Sequence, residues 1–108
     1  MGQKKYKIRF AEIAKRDMEQ IVTYITYNLA SPRIAENILL EINEAIKKRA
    51  ENPEIYARYY SIKDRENVYY KIYVKNYVIF YIILDDDIIE IRRILNKRQN
   101  IIVNDVLN

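Results

Sequence analysis

The sequence predicts an α+β domain of element order β-α-α-β-β-β, in which a helical hairpin packs on one face of an antiparallel sheet. Three observations predict this fold. Apolar residues recur at spacings of three and four within residues 11–29 and 35–50, which is the period of an amphipathic helix. Alternating residues at 6–10 and again from 68 to 95 indicate strands that are wet on one face. The link between the two helical segments is very short, so the helices must lie antiparallel.

The first strand and the first helix follow one another without a linker. In the strand at 6–10, Tyr6, Ile8 and Phe10 are predicted to face inward. The helix covers 11–29, and its buried stripe is predicted to consist of Ala14, Met18, Ile21, Val22, Ile25 and Leu29. The spacing of the apolar residues changes from two to three or four at residue 11, which marks the boundary between the strand and the helix.

The second helix has clear start and stop signals. Ser31 and Pro32 start it, because serine caps a helix and proline fits its first position. Pro53 ends it, since the residue before a proline disfavours the helical conformation. Its apolar stripe is Ala35, Ile38, Leu39, Ile42, Ala45, Ile46 and Ala50.

Residues 54–66 lack periodicity, and we expect a surface crossover there. The alternative is a basic-aromatic surface loop, formed by Tyr56, Arg58, Tyr59, Tyr60, Lys63 and Arg65. A three-stranded meander then covers 68–74, 77–84 and 88–95. Its middle strand is apolar on both faces, which is typical of a strand covered on both sides.

The last strand carries an arginine in an unexpected register. Ile89, Ile91 and Leu95 are predicted to share one face, opposite Ile88, Glu90, Arg92 and Ile94. Arg93 has the same parity as the apolar set, so it must either be paired or lie at the margin of the sheet. A basic segment, Lys97-Arg98, follows the strand and can be displayed to a partner.

Composition excludes several classes of function. At 108 residues the chain is expected to form a single domain over 1–108, with 101–108 as a C-terminal tail. It has no cysteine and no histidine, which excludes thiolate and imidazole nucleophiles and the usual metal ligands, and we expect neither a metal nor a cofactor. The only glycine is Gly2, so glycine-rich phosphate loops are absent. No apolar run could cross a membrane, so the expected compartment is the cytoplasm, and the net charge of +4 permits an acidic partner without requiring one.

Four stretches, in this order, resemble the RelE/ParE superfamily of toxins from bacterial type II toxin–antitoxin modules. The first is 17–25, in which an acidic residue and a hydrophobic residue precede a Tyr-Ile pair. The others are the second helix with its closing Pro53, the run at 70–81, and the last strand with its basic end at 88–98. The run at 70–81 is the most distinctive, because a basic residue, Val74, Asn76, Tyr77 and Tyr81 keep the family's spacing. The resemblance implies a plasmid-stabilisation toxin that arrests growth and is neutralised by a cognate antitoxin.

Two activities occur in this superfamily. RelE-like members cleave mRNA on the ribosome, and the resemblance implies a basic set, here Lys71, Lys97 and Arg98, with an acid–base residue near the C-terminus. That acid–base residue is missing, since no tyrosine follows Tyr81 and the chain has no histidine; Tyr69 or Tyr73 could substitute. Separately, Gln99 stands where a second basic residue is usual. ParE-like members poison DNA gyrase through a surface, and the long hairpin favours this activity. A binding module without toxicity is the third interpretation.

The gyrase interpretation assigns target contacts to the end of the last strand, namely Arg92, Arg93, Lys97 and Arg98. An antitoxin is expected to lay a helix or strand over an apolar groove and shield the basic residues. The tail residues Ile101, Ile102, Val103, Val106 and Leu107 are candidates for such a groove or for a short helix, or they fray beyond the core. DNA is expected to be reached only through the antitoxin.

Overall fold

A computed structural model describes residues 6–54, 58–59, 68–85 and 87–98 of the chain. The elements are β1 (Lys7–Phe10), α1 (Glu12–Thr23), a π-helical turn (Tyr24–Asn28), α2 (Pro32–Arg49), β2 (Arg58–Tyr59), β3 (Tyr69–Val74), β4 (Tyr77–Leu84) and β5 (Ile88–Asn96). The predicted α+β order is confirmed, with the two-residue strand β2 added where only a crossover was expected. The predictions for Tyr56, Tyr60, Lys63, Arg65, Gln99 and the tail at 101–108 fall outside the described residues.

The strands form one sheet in the order β1-β5-β4-β3-β2. The β3–β4–β5 meander is antiparallel, as predicted, whereas β1 pairs with β5 in the parallel sense, from Lys7 opposite Ile88 to Phe10 opposite Ile91. The sheet is therefore mixed. A parallel pair needs a long crossover, and the helical hairpin between β1 and the meander supplies it.

The main core lies between the hairpin and one face of the sheet. α1 contacts β5 and α2 contacts β3. The fully buried members of this core include Ile42 and Ile46 from α2 and Ile79, Tyr81 and Ile89 from the sheet. Tyr6, directly before β1, and Phe10 at its end pack against this core as predicted, but Ile8 is 36% exposed, so its predicted inward position is wrong. β1 is an edge strand, which leaves its middle residue at the margin.

The opposite face of the sheet carries a second apolar cluster made of strand residues: Tyr69, Val78, Phe80, Ile82 and Leu95. β4 is thus buried on both faces, as its sequence predicted. The predicted grouping of Leu95 with Ile89 and Ile91 is wrong, and Ile94 takes that place. The cause is a β-bulge: Phe80 lies opposite Arg93 and Tyr81 opposite Ile91, so Arg92 is an extra residue that reverses the facing of the residues after it.

The first helix is shorter than its sequence predicted. The α-helical hydrogen bonding ends at Thr23 and gives way to the π-helical turn, closed by a bond from Leu29 N to Tyr24 O at 3.4 Å. The wider turn rotates the following residues out of the α-helical period, so Leu29 is exposed instead of buried. Ala30 then adopts φ 51°, and the Ser31 side chain accepts a hydrogen bond from Ile34 N at 3.4 Å, which confirms the predicted cap of α2.

A polar network fastens the C-terminal end of α2 to the sheet. Arg49 Nη1 donates to Lys71 O at 2.8 Å and to the Tyr81 hydroxyl at 3.1 Å, and that hydroxyl donates to Pro53 O at 2.9 Å. The Tyr81 ring stacks on Tyr70 at 5.2 Å between centroids. The network fixes both the helix and the chain that leaves it.

We expect Tyr81→Phe to lower the free energy of unfolding by about 1–3 kcal/mol, because Pro53 O loses its buried donor and Arg49 loses an acceptor. Urea denaturation followed by circular dichroism measures the loss. The control is Tyr27→Phe, whose phenol is 78% exposed and whose replacement should change stability by about 0.5 kcal/mol or less. Equal small effects of the two changes would contradict the role of the network.

Candidate functional site

The basic segment after β5 is anchored through its backbone while its side chains are exposed. Lys97 N donates to Asn76 O at 2.7 Å, which ties the end of β5 to the turn between β3 and β4. Arg98 N donates to Asn96 Oδ1 at 2.9 Å. Lys97 and Arg98 are both exposed to solvent. The fold therefore presents two adjacent cations from a fixed point of the sheet.

Two lysines meet at one tyrosine beside this segment. Lys71 Nζ donates to the Tyr73 hydroxyl at 3.1 Å and lies 5.6 Å from the centroid of that ring. Lys97 Nζ lies 5.4 Å from the same centroid. The Lys97 distance is within the range of cation–π attraction, whereas Lys71 contacts the ring through its hydroxyl. We call Lys71, Tyr73 and Lys97 the lysine–tyrosine cluster.

The cluster brings together two of the three residues predicted for RNA cleavage, Lys71 and Lys97. It adds Tyr73, which the sequence suggested only as a possible substitute for the missing acid–base residue. Tyr73 is 56% exposed, so a ligand can reach its hydroxyl. Two ammonium groups flanking a phenol form a site where a phosphate could bind and a proton could be exchanged.

Arg92 takes part in a charged group on β5. Its Nη1 donates to Glu90 Oε1 at 2.9 Å, while Arg9 of β1 binds Glu90 Oε2 at 2.9 Å. Two guanidinium groups thus share one carboxylate, which leaves a positive excess at this part of the sheet. The predicted role of Arg92 as a target contact stays a prediction.

Arg93 forms an ion pair, which is one of the two alternatives that the sequence left open for it. Its Nε donates to Asp17 Oδ2 at 2.7 Å and its Nη2 donates to Asp17 Oδ1 at 3.0 Å. The backbone N–H of Ile94 also donates to Asp17 Oδ2, at 2.9 Å. The charge of Arg93 is therefore neutralised inside the domain, which favours a structural task for it over the predicted contact with a target.

A cavity of about 310 Å³ lies beside this ion pair. Its lining comprises Asp17, Gln20, Ile21, Tyr24, Tyr77, Arg93, Ile94, Leu95 and Asn96. Burial, and secondly the neighbouring Tyr24, raise the pKa of Tyr77 above its ordinary value near 10, so its phenol is protonated at neutral pH. Sequence reasoning missed this cavity, because nothing local links Tyr24 to Tyr77.

A helical hairpin on a meander whose last strand ends in exposed cations defines a small α+β domain of the RelE/ParE type. Residues 8–101 match the family model described as ParE toxin of type II toxin-antitoxin system, parDE. The chain belongs to that family, and it is therefore a toxin of the type II toxin–antitoxin class. No helix of the described residues is long and apolar enough to span a membrane.

Two solved structures match most of the chain. The chromosomal ParDE system from P. aeruginosa matches with a TM-score of 0.66 and 15% identity, over 84% of this chain and 95% of that one. The RelB–RelE antitoxin–toxin complex from Methanococcus jannaschii matches with a TM-score of 0.49 and 25% identity, over 93% of this chain and 99% of that one. Among curated proteins, none matches the chain.

Proposed function

We propose that this toxin arrests growth by poisoning DNA gyrase, acting as part of a plasmid-stabilisation module. The observation that carries the proposal is the pair of exposed cations, Lys97 and Arg98, held after β5 by the bond from Lys97 N to Asn76 O. Gyrase engaged on DNA presents phosphates and acidic surface, which such a fixed positive patch complements. Poisoning of this kind needs a surface and no proton-transfer residue, in keeping with a chain that lacks histidine.

The cognate antitoxin is the proposed partner, in the cytoplasm. The hairpin and β1 form an open apolar groove of about 480 Å³, lined by Phe10, Lys15, Met18, Glu19, Val22, Leu39 and Asn43. An antitoxin segment with apolar side chains could fill this groove. The antitoxin would also connect the toxin to DNA. The similar P. aeruginosa structure, a ParDE toxin–antitoxin system, supports a partner of this type.

The test is a supercoiling and cleavage assay with purified gyrase. We expect the protein to inhibit supercoiling and to trap gyrase on double-strand breaks, and we expect addition of the antitoxin to reverse both effects. Gyrase that works normally in its presence, together with cleavage of ribosome-bound mRNA, would overturn the proposal. Normal growth on overexpression would instead favour a binding module without toxicity.

The lysine–tyrosine cluster favours a second candidate, ribosome-dependent cleavage of mRNA. In that reaction the 2′-hydroxyl loses its proton and its oxygen forms a bond to phosphorus, while the bond from phosphorus to the 5′-oxygen breaks and that oxygen gains a proton. Lys71 and Lys97 would stabilise the charge on the phosphate, and the Tyr73 hydroxyl would carry a proton to or from the reacting oxygens.

If the protein cleaves ribosome-bound mRNA, Tyr73→Phe should slow cleavage about 100-fold or more, because a general acid–base group is lost while the ring remains. Single-turnover cleavage of ribosome-bound mRNA measures the rate. The control is again Tyr27→Phe, in the π-helical turn. Full cleavage by the Tyr73 variant would exclude a proton-transfer role for this phenol.

A further inference from the structure

We propose that Asp17 is a positioning residue: its carboxylate fixes the course of β5 beyond the bulge and so sets where Lys97 and Arg98 are presented. The structural part of this inference stands on the geometry alone. Its consequence for toxicity rests on the proposed function. Asp17 differs from the other acidic residues of α1, Glu12 and Glu19, because it is buried.

The first step concerns the edge of β5 that faces β1. The parallel pairing ends with Phe10 opposite Ile91, and the bond from Ala11 N to Ile91 O at 2.9 Å is the last backbone contact in that direction. β5 continues to Asn96. Its N–H groups beyond the end of β1 therefore need another acceptor, since a buried backbone donor without a partner is costly.

Asp17 supplies that acceptor. The buried N–H of Ile94 donates to Asp17 Oδ2 at 2.9 Å, so a side chain of α1 takes the place that a strand carbonyl would occupy. Among the residues that the structure describes, Asp17 is the one charged residue that is buried. A helix carboxylate thus replaces β1 as the neighbour of β5 at this level of the sheet.

The second step concerns the bulge. Arg92 is the extra residue, and a bulge breaks the regular pairing and redirects the strand that contains it. The next residue, Arg93, donates to both carboxylate oxygens of Asp17 in a bidentate ion pair. The Arg93 side chain is 15% exposed and that of Asp17 is 8% exposed. Bidentate charge-assisted bonds are strong and geometrically specific. Asp17 therefore fixes two consecutive residues directly after the point where the strand is redirected.

The third step links the contacts of Asp17 with Arg93 and Ile94 to the exposed cations Lys97 and Arg98. Ile94 stands three positions before Lys97, and Lys97 N is held on the other side by Asn76 O. The end of β5 is thus held on one edge by Asp17 of α1 at Ile94, and on the other edge by its pairing with β4 and by the β3–β4 turn at Lys97. Loss of Asp17 should leave the strand end supported on one edge alone, so that its course can shift and the basic segment with it.

The decisive variants are Asp17→Ala, which removes the ion pair with Arg93 and the acceptor for Ile94 N, and Asp17→Asn, which keeps an acceptor for Ile94 N. Glu12→Ala is the matched control, because Glu12 lies on the same helix and forms an exposed pair with Lys15. Ile42→Val, a core change distant from β5 in the chain, controls for a general loss of stability. All assays are run at a temperature at which each variant is fully folded.

Two readouts are measured on the purified full chain: amide hydrogen exchange at Ile94 and Lys97, and the concentration needed for half-maximal gyrase cleavage. We expect Asp17→Ala to accelerate exchange about 100-fold at Ile94 and about 10-fold at Lys97. We expect its half-maximal concentration to rise about 10-fold, with Asp17→Asn intermediate and both controls within about twofold of the wild type.

The outcomes separate the two proposals. Unchanged exchange at Lys97 in Asp17→Ala, or full potency of that variant against gyrase, would overturn the positioning role alone. A wild-type protein without effect on gyrase would overturn the proposed function, and the exchange rates would still decide the structural role of Asp17. If Asp17→Ala fails to fold, Asp17→Asn and Arg93→Lys take its place, and exchange at Lys97 equal to that of the wild type in both would refute the inference.

Discussion

Replacing both Lys97 and Arg98 with glutamate is expected to raise the concentration needed to trap gyrase on DNA by about 100-fold or more, which corresponds to ~2.8 kcal/mol of lost binding. The physical reason is that two exposed cations become two anions at the point where the fold presents charge to its target. Phosphates and acidic side chains that were attracted are then repelled. In cells, the same variant should no longer arrest growth on overexpression.

The control for this charge reversal is Lys47 and Lys48 changed together to glutamate. These residues are also adjacent, basic and exposed, but they lie in the last turn of α2. The net charge changes equally, so an effect that depends only on total charge would appear in both double variants. Circular dichroism should show both proteins folded, because the Lys97 anchor to Asn76 O is made by the backbone. Retained gyrase poisoning by the folded Lys97–Arg98 variant would refute the role of the basic segment.

Ile42→Ala should lower the free energy of unfolding by about 2–5 kcal/mol. Ile42 is fully buried in the middle of α2, in the core that joins the hairpin to the sheet. Truncation removes apolar contacts and leaves a cavity that the rigid sheet below cannot fill. Since small domains are stable by only about 5–15 kcal/mol, this one change should remove a large part of the total.

Leu40→Ala is the matched control, two positions away on the same helix, with a side chain that is 57% exposed. It should cost about 0.5 kcal/mol or less, because its side chain loses little buried area. Thermal or urea denaturation of the two variants measures the difference. Similar losses for both residues would mean that α2 does not pack on the sheet through the face that contains Ile42.

Local signals explain which parts of the fold could be predicted. Ser31 and Pro32 act within one turn of the chain, so the start of α2 is evident from sequence. The double apolar pattern of β4 similarly predicts a strand covered on both faces. Lys71 and Tyr73 could be assigned to one face because side chains alternate along a strand, and they do meet.

The remaining features depend on parts of the chain that are distant in sequence. The bulge at Arg92 inserts one residue and exchanges the faces of Ile94 and Leu95, and no local pattern distinguishes it from a regular strand. The sequence left Arg93 either paired or at the margin of the sheet, and its partner Asp17 lies 76 positions away. Lys97 reaches Tyr73 only because the end of β5 is held against the β3–β4 turn. These contacts are therefore set by the tertiary fold and not by any local pattern of the sequence.

The parallel pairing of β1 with β5 has a consequence for synthesis. Arg9 and Glu90, which lie side by side in that pair, are separated by 81 positions, so the sheet cannot close until β5 has left the ribosome. Contacts between such distant segments form late and slow the folding of a domain. A nascent polypeptide that ends before β5 accordingly lacks both the closed sheet and the basic segment, and we expect it to be inactive.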